Sequence, residues 1–189
     1  MPKLTGARFV AEAVRGYGLT HVFYMPYIMP EAILEMDKLG VTAIQSHGEK
    51  AAAYMADAYA RVRRGPSLVM AQSVGAANLA AGLQDAYLAC SPVIALTGRE
   101  RQHHLNRNSY QEVDHVKPFA SVTKYSAYVP ALETLPMYLR QAFRSAVSGT
   151  PGPTHLDLEG IAGLTISDGE LDAEVIVEQQ FTQVPAFRP

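Results

Sequence analysis

Apolar and polar positions along this chain switch repeatedly between a helical and an extended rhythm. Thr5 is placed to cap a helix over roughly residues 6–17, with Phe9, Val10, Ala13 and Val14 on one stripe and Gly18 as its stop. His21-Val-Phe-Tyr24 then reads as a strand, Pro30 opens a helix that ends near Gly40, and Val41 to Ile44 is a second strand. A helix starting at Glu49 is closed by Arg61 to Gly65. Ser67 to Ala71, a helix over Ala76 to Leu88 and Pro92 to Leu96 repeat the alternation. Gly98 to Pro118 is long, polar and irregular, and Phe119 to Val129 is partly extended. A helix from about Ala131 to Val147 and a strand at Thr154 to Leu158 complete the series. Strands separated by helices at this spacing predict an α/β, doubly wound fold: a mainly parallel sheet with helices on both faces.

The pattern weakens after residue 160. Residues 1–160 are expected to form one domain, and residues 161–189 a linker whose end, Phe181 to Pro189, is extended. Ser167-Asp-Gly169 reads as a turn. No internal repeat or low-complexity tract interrupts the chain.

Composition narrows the setting. Of 189 residues, 48% are hydrophobic and 18% charged, so much of the surface is buried in the chain or in partners. A net charge of −2 gives no electrostatic footprint for nucleic acid or an anionic membrane. The one cysteine, Cys90, excludes an internal disulfide. Met1 to Thr5 lacks the apolar core of a signal peptide, and Gln72, Asn78, Gln84 and Asp85 interrupt the most apolar stretch. These features predict a soluble, cytoplasmic protein.

Ligands in open α/β sheets bind beyond the carboxyl ends of the strands. Four loops leave such ends: Tyr24 to Met29, Ser46 to Glu49, Ser73 to Asn78, and Thr97 onward. Glu49 stands at a helix start, where free N–H groups and the helix dipole favour negative charge. Its Ala-, Met- and Tyr-rich helix would desolvate it and favour the neutral acid. An ordinary helix-start carboxylate fits the same position. Gly75 allows close backbone approach and Asn78 offers donors and acceptors, although a plain strand-to-helix turn also explains the glycine. There is no G-x-G-x-x-G after the first strand, no P-loop and no G-x-S-x-G elbow. The adjacent His103 and His104 lack metal-ligand spacing. Arg99, Arg101 and Arg107 in the long loop suit either an anionic substrate, a subunit contact or a solvated surface.

Together these loops resemble the N-terminal, pyrimidine-binding (PYR) domain of the thiamine-diphosphate enzymes related to acetolactate synthase, benzoylformate decarboxylase and 2-hydroxyacyl-CoA lyase. The matching residues are His47-Gly-Glu49 before Ala52-Ala-Tyr-Met-Ala-Asp-Ala-Tyr-Ala-Arg61, then Val74-Gly-Ala-Ala-Asn78 and Gly82-Leu-Gln-Asp-Ala-Tyr87. Pro92 to Gly98, Tyr110-Gln-Glu-Val-Asp114 and Pro151-Gly-Pro-Thr-His-Leu-Asp157 follow in the family's order.

The resemblance implies that Glu49 hydrogen-bonds N1′ of the cofactor's aminopyrimidine and activates it, with Gly75, Asn78 and Pro26 lining the pyrimidine pocket. Tyr27, Ile28, Met29, Tyr110 and Gln111 would border substrate in a site shared with a second chain. It implies a decarboxylase, carboligase or lyase acting on 2-keto acids or related carbonyl compounds. It also implies a homo-oligomer, with thiamine diphosphate as cofactor. Mg²⁺ and the diphosphate would be held by a domain or subunit carrying a G-D-G and a downstream N-N pattern, which this chain lacks. Departures are Tyr24 and Tyr27, where the family's loop has glycine, and Asp157-Leu-Glu-Gly160, which lacks the lysine of acetolactate synthases. A non-catalytic binding or assembly module that keeps the fold, with the two tyrosines closing the pocket, is the alternative.

Overall fold

The computed structural model describes residues 3–185, so Met1, Pro2 and the last four residues of the expected linker lie outside the described residues. The strands are β1 (Leu4–Thr5), β2 (His21–Tyr24), β3 (Thr42–Gln45), β4 (Ser67–Gln72), β5 (Val93–Gly98), β6 (Tyr125–Val129), β7 (Thr154–Leu158) and β8 (Glu170–Leu171). The helices are α1 (Gly6–Gly16), α2 (Pro30–Lys38), α3 (Glu49–Arg63), α4 (Ser73–Leu88), α5 (Val116–Phe119), α6 (Leu135–Val147) and α7 (Leu164–Ser167).

Six strands form one wholly parallel sheet in the order β3-β2-β4-β5-β7-β6. β4, β5 and β7 are buried almost throughout, because helices cover the sheet on both faces and these strands lie inside it. On one face Phe9, Val10 and Val14 of α1, Ala32 and Met36 of α2, and Leu139 and Phe143 of α6 meet Leu68, Met70, Ile94 and Leu96. On the other, Ala52, Ala53, Ala56 and Ala60 of α3 and Leu79 and Leu83 of α4 cover Val69, Ala71, Val93 and Ala95. The doubly wound expectation holds in full.

Several ends differ from the sequence reading. α4 begins at Ser73, three residues before the expected Ala76. The long loop holds a short 3₁₀ turn at Gln102–His104, and α5 is a single turn. Residues after 160 do not detach. β8 pairs antiparallel with β1, and Ile166 and Leu171 are buried in the core on the α1 side. Glu178 pairs with Arg144 and the Val184 N–H donates to the Arg64 carbonyl at 2.8 Å. The expected boundary at 160 is therefore not marked by a change in packing: apolar side chains at Ile166, Leu171, Val177 and Phe181 keep the segment on the domain. Among the described residues no helix is long and apolar enough to cross a membrane.

Strand order reverses at β2, which lies between β3 on one side and β4 on the other. Such a switch point leaves a crevice beyond the carboxyl ends of the flanking strands. Two backbone bonds set the crevice walls, Met25 N–H to the Met70 carbonyl and Ser46 N–H to the Tyr24 carbonyl, both 3.0 Å.

Candidate active site

Glu49 is the first residue of α3 and lies beside this crevice, immediately after the turn that leaves β3. Ser46 shapes that turn, its hydroxyl donating to the Gly48 carbonyl at 2.8 Å. The Glu49 carboxylate reaches across to α4, where the Asn78 amide nitrogen donates to Oε2 at 3.2 Å. Its other oxygen lies over Gly75: a Cβ built there would stand 2.3 Å from Oε1. Only a residue without a side chain permits this contact.

The approach depends on how closely α3 and α4 pack. One turn pair further along, a Cβ on Gly82 would lie 2.6 Å from the Ala53 methyl and 2.9 Å from the Lys50 carbonyl oxygen. The run of alanines in α3 thus has a spatial role, since small side chains let two helix backbones meet where the carboxylate must touch α4. Ala52, Ala53, Ala56 and Ala60 face inward. Tyr54 and Met55, expected to help enclose Glu49, instead face outward and are 42% and 41% exposed. Glu49 is half-buried, so a second surface is needed to enclose it.

The other residues singled out in the sequence divide into two groups. Gln111 joins the site through its backbone, its carbonyl accepting from the Ser73 hydroxyl at 2.8 Å, two residues from Gly75. Tyr110 beside it is exposed. Pro26 and Tyr27 are exposed and line an open groove of about 320 Å³ with Tyr24, Pro30, Ile33 and Leu34. Ile28 and Met29, expected at the substrate space, instead have their side chains in the core on the α1 and α2 side. Apolar side chains gain more from that core than from an open cleft. Of the three loop arginines, Arg101 and Arg107 are exposed, whereas Arg99 lies over the Tyr128 ring and faces Asp157 at 3.8 Å.

Glu112 organises the loop that carries Gln111. Its carboxylate accepts backbone N–H groups from Asn106, Ser109 and Arg107 at 2.5, 3.1 and 3.4 Å. These bonds hold its carboxyl below the usual range.

Sequence reasoning missed a buried polar chain beneath the site. Asp157 Oδ1 faces His115 Nδ1 at 2.8 Å and accepts from the Thr97 hydroxyl at 2.7 Å. Thr97 in turn contacts His155 Nε2 at 2.7 Å, and Ser126 contacts His155 Nδ1 at 2.8 Å. Burial first, and then the neighbouring His115, hold the His155 imidazole well below its ordinary value. His115 Nε2 ends the chain on the Ser73 carbonyl at 2.9 Å. Tyr128 donates to Glu159, and burial together with that carboxylate pushes its phenol up. The available signal was the pattern of β7: His155 and Asp157 alternate with Leu156 and Leu158 in a strand buried on both faces, where unpaired polar groups are costly.

Among the described residues, no group of three or more His, Cys, Asp or Glu is arranged to hold a metal ion. The site is thus a carboxylate, an amide and a close-packed glycine at the switch point of a parallel α/β sheet, where open sheets of this kind bind their ligands.

Residues 4–117 match the family described as thiamine pyrophosphate enzyme, N-terminal TPP binding domain. The Probable acetolactate synthase large subunit of Methanocaldococcus jannaschii is 31% identical over 98% of this chain and 31% of its own length. The Acetolactate synthase isozyme 2 large subunit of Escherichia coli is 36% identical over 89% of this chain and 31% of its own length. A crystal structure from Mycobacterium smegmatis, described as a thiamin diphosphate-dependent enzyme, superposes with a TM-score of 0.75 at 26% identity. That match covers 84% of this chain and 31% of the other. The chain belongs to the thiamine pyrophosphate enzyme family, as its N-terminal TPP-binding domain. It spans about a third of the length of these relatives.

Proposed function

We propose that this chain is the pyrimidine-binding part of an enzyme that makes or breaks a bond beside a carbonyl carbon, as a decarboxylase, carboligase or lyase of 2-keto acids or related compounds. The observation that carries this is the Glu49 carboxylate, held by Asn78 on one oxygen and resting on Gly75 with the other. Asn78 fixes the carboxylate orientation, and the missing Cβ at Gly75 gives Oε1 the room to sit against α4. When bound, thiamine diphosphate supplies a nucleophilic carbon on its thiazolium ring. Glu49 holds or moves the proton at the pyrimidine nitrogen, and Gly75 and Asn78 shape the pocket around it. Gln111, tied to Ser73, borders the substrate side.

The diphosphate and Mg²⁺ belong on a further domain or subunit. On this reading the 189 residues alone keep only the pyrimidine contacts. Each such hydrogen bond contributes about 0.5–1.5 kcal/mol net, against the entropic cost of association. Calorimetry on the isolated chain is therefore expected to give a Kd of roughly millimolar or weaker, indifferent to Mg²⁺. Adding a polypeptide that carries the diphosphate-binding residues restores tight, Mg²⁺-dependent binding. Micromolar, Mg²⁺-dependent binding by the isolated chain contradicts the shared site.

The outward faces of α3 and α4 complete the proposal. Tyr54, Met55, Val62 and Leu88 are exposed there, with Val62 at 88%. Apolar residues on the faces of adjacent helices next to a half-enclosed carboxylate fit a homodimer that covers them. Sedimentation is expected to show concentration-dependent dimers, which Met55→Asp shifts toward monomer. A monomer at all concentrations rejects the homodimer.

A further inference from the structure

We propose that His115 is a positioning residue for the Glu49 site, pinning the first turn of α4 to the centre of the sheet; the functional half of this inference rests on the reading given above. His115 is fully buried, and its two ring nitrogens face Asp157 and the Ser73 carbonyl rather than any residue placed around the cofactor. Its Nε2 faces a carbonyl oxygen, that of Ser73, which can only accept, so Nε2 carries a proton and donates. Its Nδ1 is held by Asp157, itself fully buried and bound by the Thr97 hydroxyl. Thr97 and Asp157 are register partners on the adjacent strands β5 and β7. The imidazole is thus a strut between the most buried strands and the start of one helix.

What it holds is a residue in an uncommon conformation. Ser73 opens α4 with a φ of +49°, and Gln111, to which its hydroxyl donates, has a φ of +60°. Neither is glycine, and such backbone persists where surroundings over-determine it. Ser73 is tied by its carbonyl to the sheet and by its hydroxyl to the loop carrying Gln111. Two residues on, Gly75 meets the Glu49 carboxylate at a distance that leaves no slack, and Asn78 follows within one turn. A tilt of this turn moves both of the carboxylate's contacts together. Misplacement on the order of 1 Å in a supporting element is enough to cost about 10²-fold in rate.

Two substitutions separate positioning from bulk stability. His115→Gln keeps an N–H donor near the Nε2 position, whereas His115→Asn is too short to reach Ser73 while still facing Asp157. In the 189-residue chain, His115→Asn is expected to speed amide exchange at residues 75–78 by on the order of tenfold relative to β5 amides, and His115→Gln to restore it. In the complex with a diphosphate-binding domain, His115→Asn lowers kcat by about 10–100-fold with little change in KM, and His115→Gln recovers most of it. Equal acceleration across α4, β5 and β7 makes His115 a general stability residue and overturns the proposal, as does unchanged exchange at residues 75–78. If His115→Asn does not fold, the wild-type chain decides. A slowly exchanging Nε2 proton on His115 in nuclear magnetic resonance supports the strut, and a ring protonated only at Nδ1 refutes it. Because exchange and ring protonation need no cofactor, they decide the strut even if the assembled wild type proves inactive, an outcome that instead counts against the cofactor reading.

Discussion

Glu49→Gln slows exchange of the thiazolium proton by about 10²–10⁴-fold, the span usual for a general acid–base group, and leaves the fold intact. The glutamine amide has the size of the carboxylate, so the close approach to Gly75 and a hydrogen bond with Asn78 both survive the change. Its half-exposed position adds no unpaired buried charge whose removal would alter stability much. The loss is confined to the group's ability to hold and give up a proton. The measurement needs a preparation that includes the diphosphate-binding domain, with thermal unfolding of the variant followed in parallel. Exchange at close to the wild-type rate, with the cofactor shown to be bound, removes Glu49 from the chemistry.

Most of the architecture was legible because β4 and β5 read as largely apolar runs and α1 as a clear stripe, patterns that burial on both sheet faces or one helix face dictates. The Glu49, Gly75 and Asn78 group was legible for a different reason: the carboxylate, the residue without a side chain and the amide each carry a chemical signature at a strand end. What the sequence could not show is which face of α3 looks inward. Tyr54 and Met55 have the composition of a buried helix, yet they face away from the sheet because Ala52, Ala53 and Ala56 occupy the narrow gap against α4. Ile28 and Met29 were misplaced for a related reason. They follow a loop that belongs to the crevice, but their apolar side chains turn into the core. The start of α4 was read three residues late, because nothing local in Gln72-Ser73-Val74 favours a helix. Its geometry there is imposed from outside by His115 and Gln111, contacts that join positions some forty residues apart.

The departures from the acetolactate synthase pattern are taken up by contacts within the fold. Where those enzymes carry a lysine after the last strand, this chain has Asp157-Leu-Glu-Gly160, and its two acids are committed to internal contacts. Asp157 serves His115 and Thr97, and Glu159 accepts from Tyr128 and from the Gln102 N–H at 2.9 Å. Tyr24 and Tyr27 line a largely apolar groove beyond β2, and the Tyr24 hydroxyl faces Gln45 Oε1 at 3.5 Å.

Gly75→Ala and Gly82→Ala, seven residues apart on the same helix face, are expected to fail in opposite ways. Both gain up to about 1 kcal/mol of helix propensity, since alanine loses less backbone freedom than glycine. At Gly82 the new methyl meets the Lys50 carbonyl at 2.9 Å, an atom of the α3 backbone that has nowhere to go. The helices must separate, at a cost of about 1–3 kcal/mol for overpacking, so Gly82→Ala lowers the unfolding midpoint. At Gly75 the three nearest atoms all belong to the Glu49 side chain, with Oε1 at 2.3 Å and Cδ at 2.8 Å. That side chain is free to swing aside, so Gly75→Ala folds at least as well as the parent. It does so by displacing the carboxylate proposed to move the proton, and proton exchange on the cofactor is expected to fall by about 10²-fold or more. Because both changes remove the same group, the losses of Gly75→Ala and Glu49→Gln do not add in the double variant. Additive losses, or a Gly75→Ala enzyme with near-normal exchange, show that the contact between this glycine and Glu49 is packing without a role in the reaction.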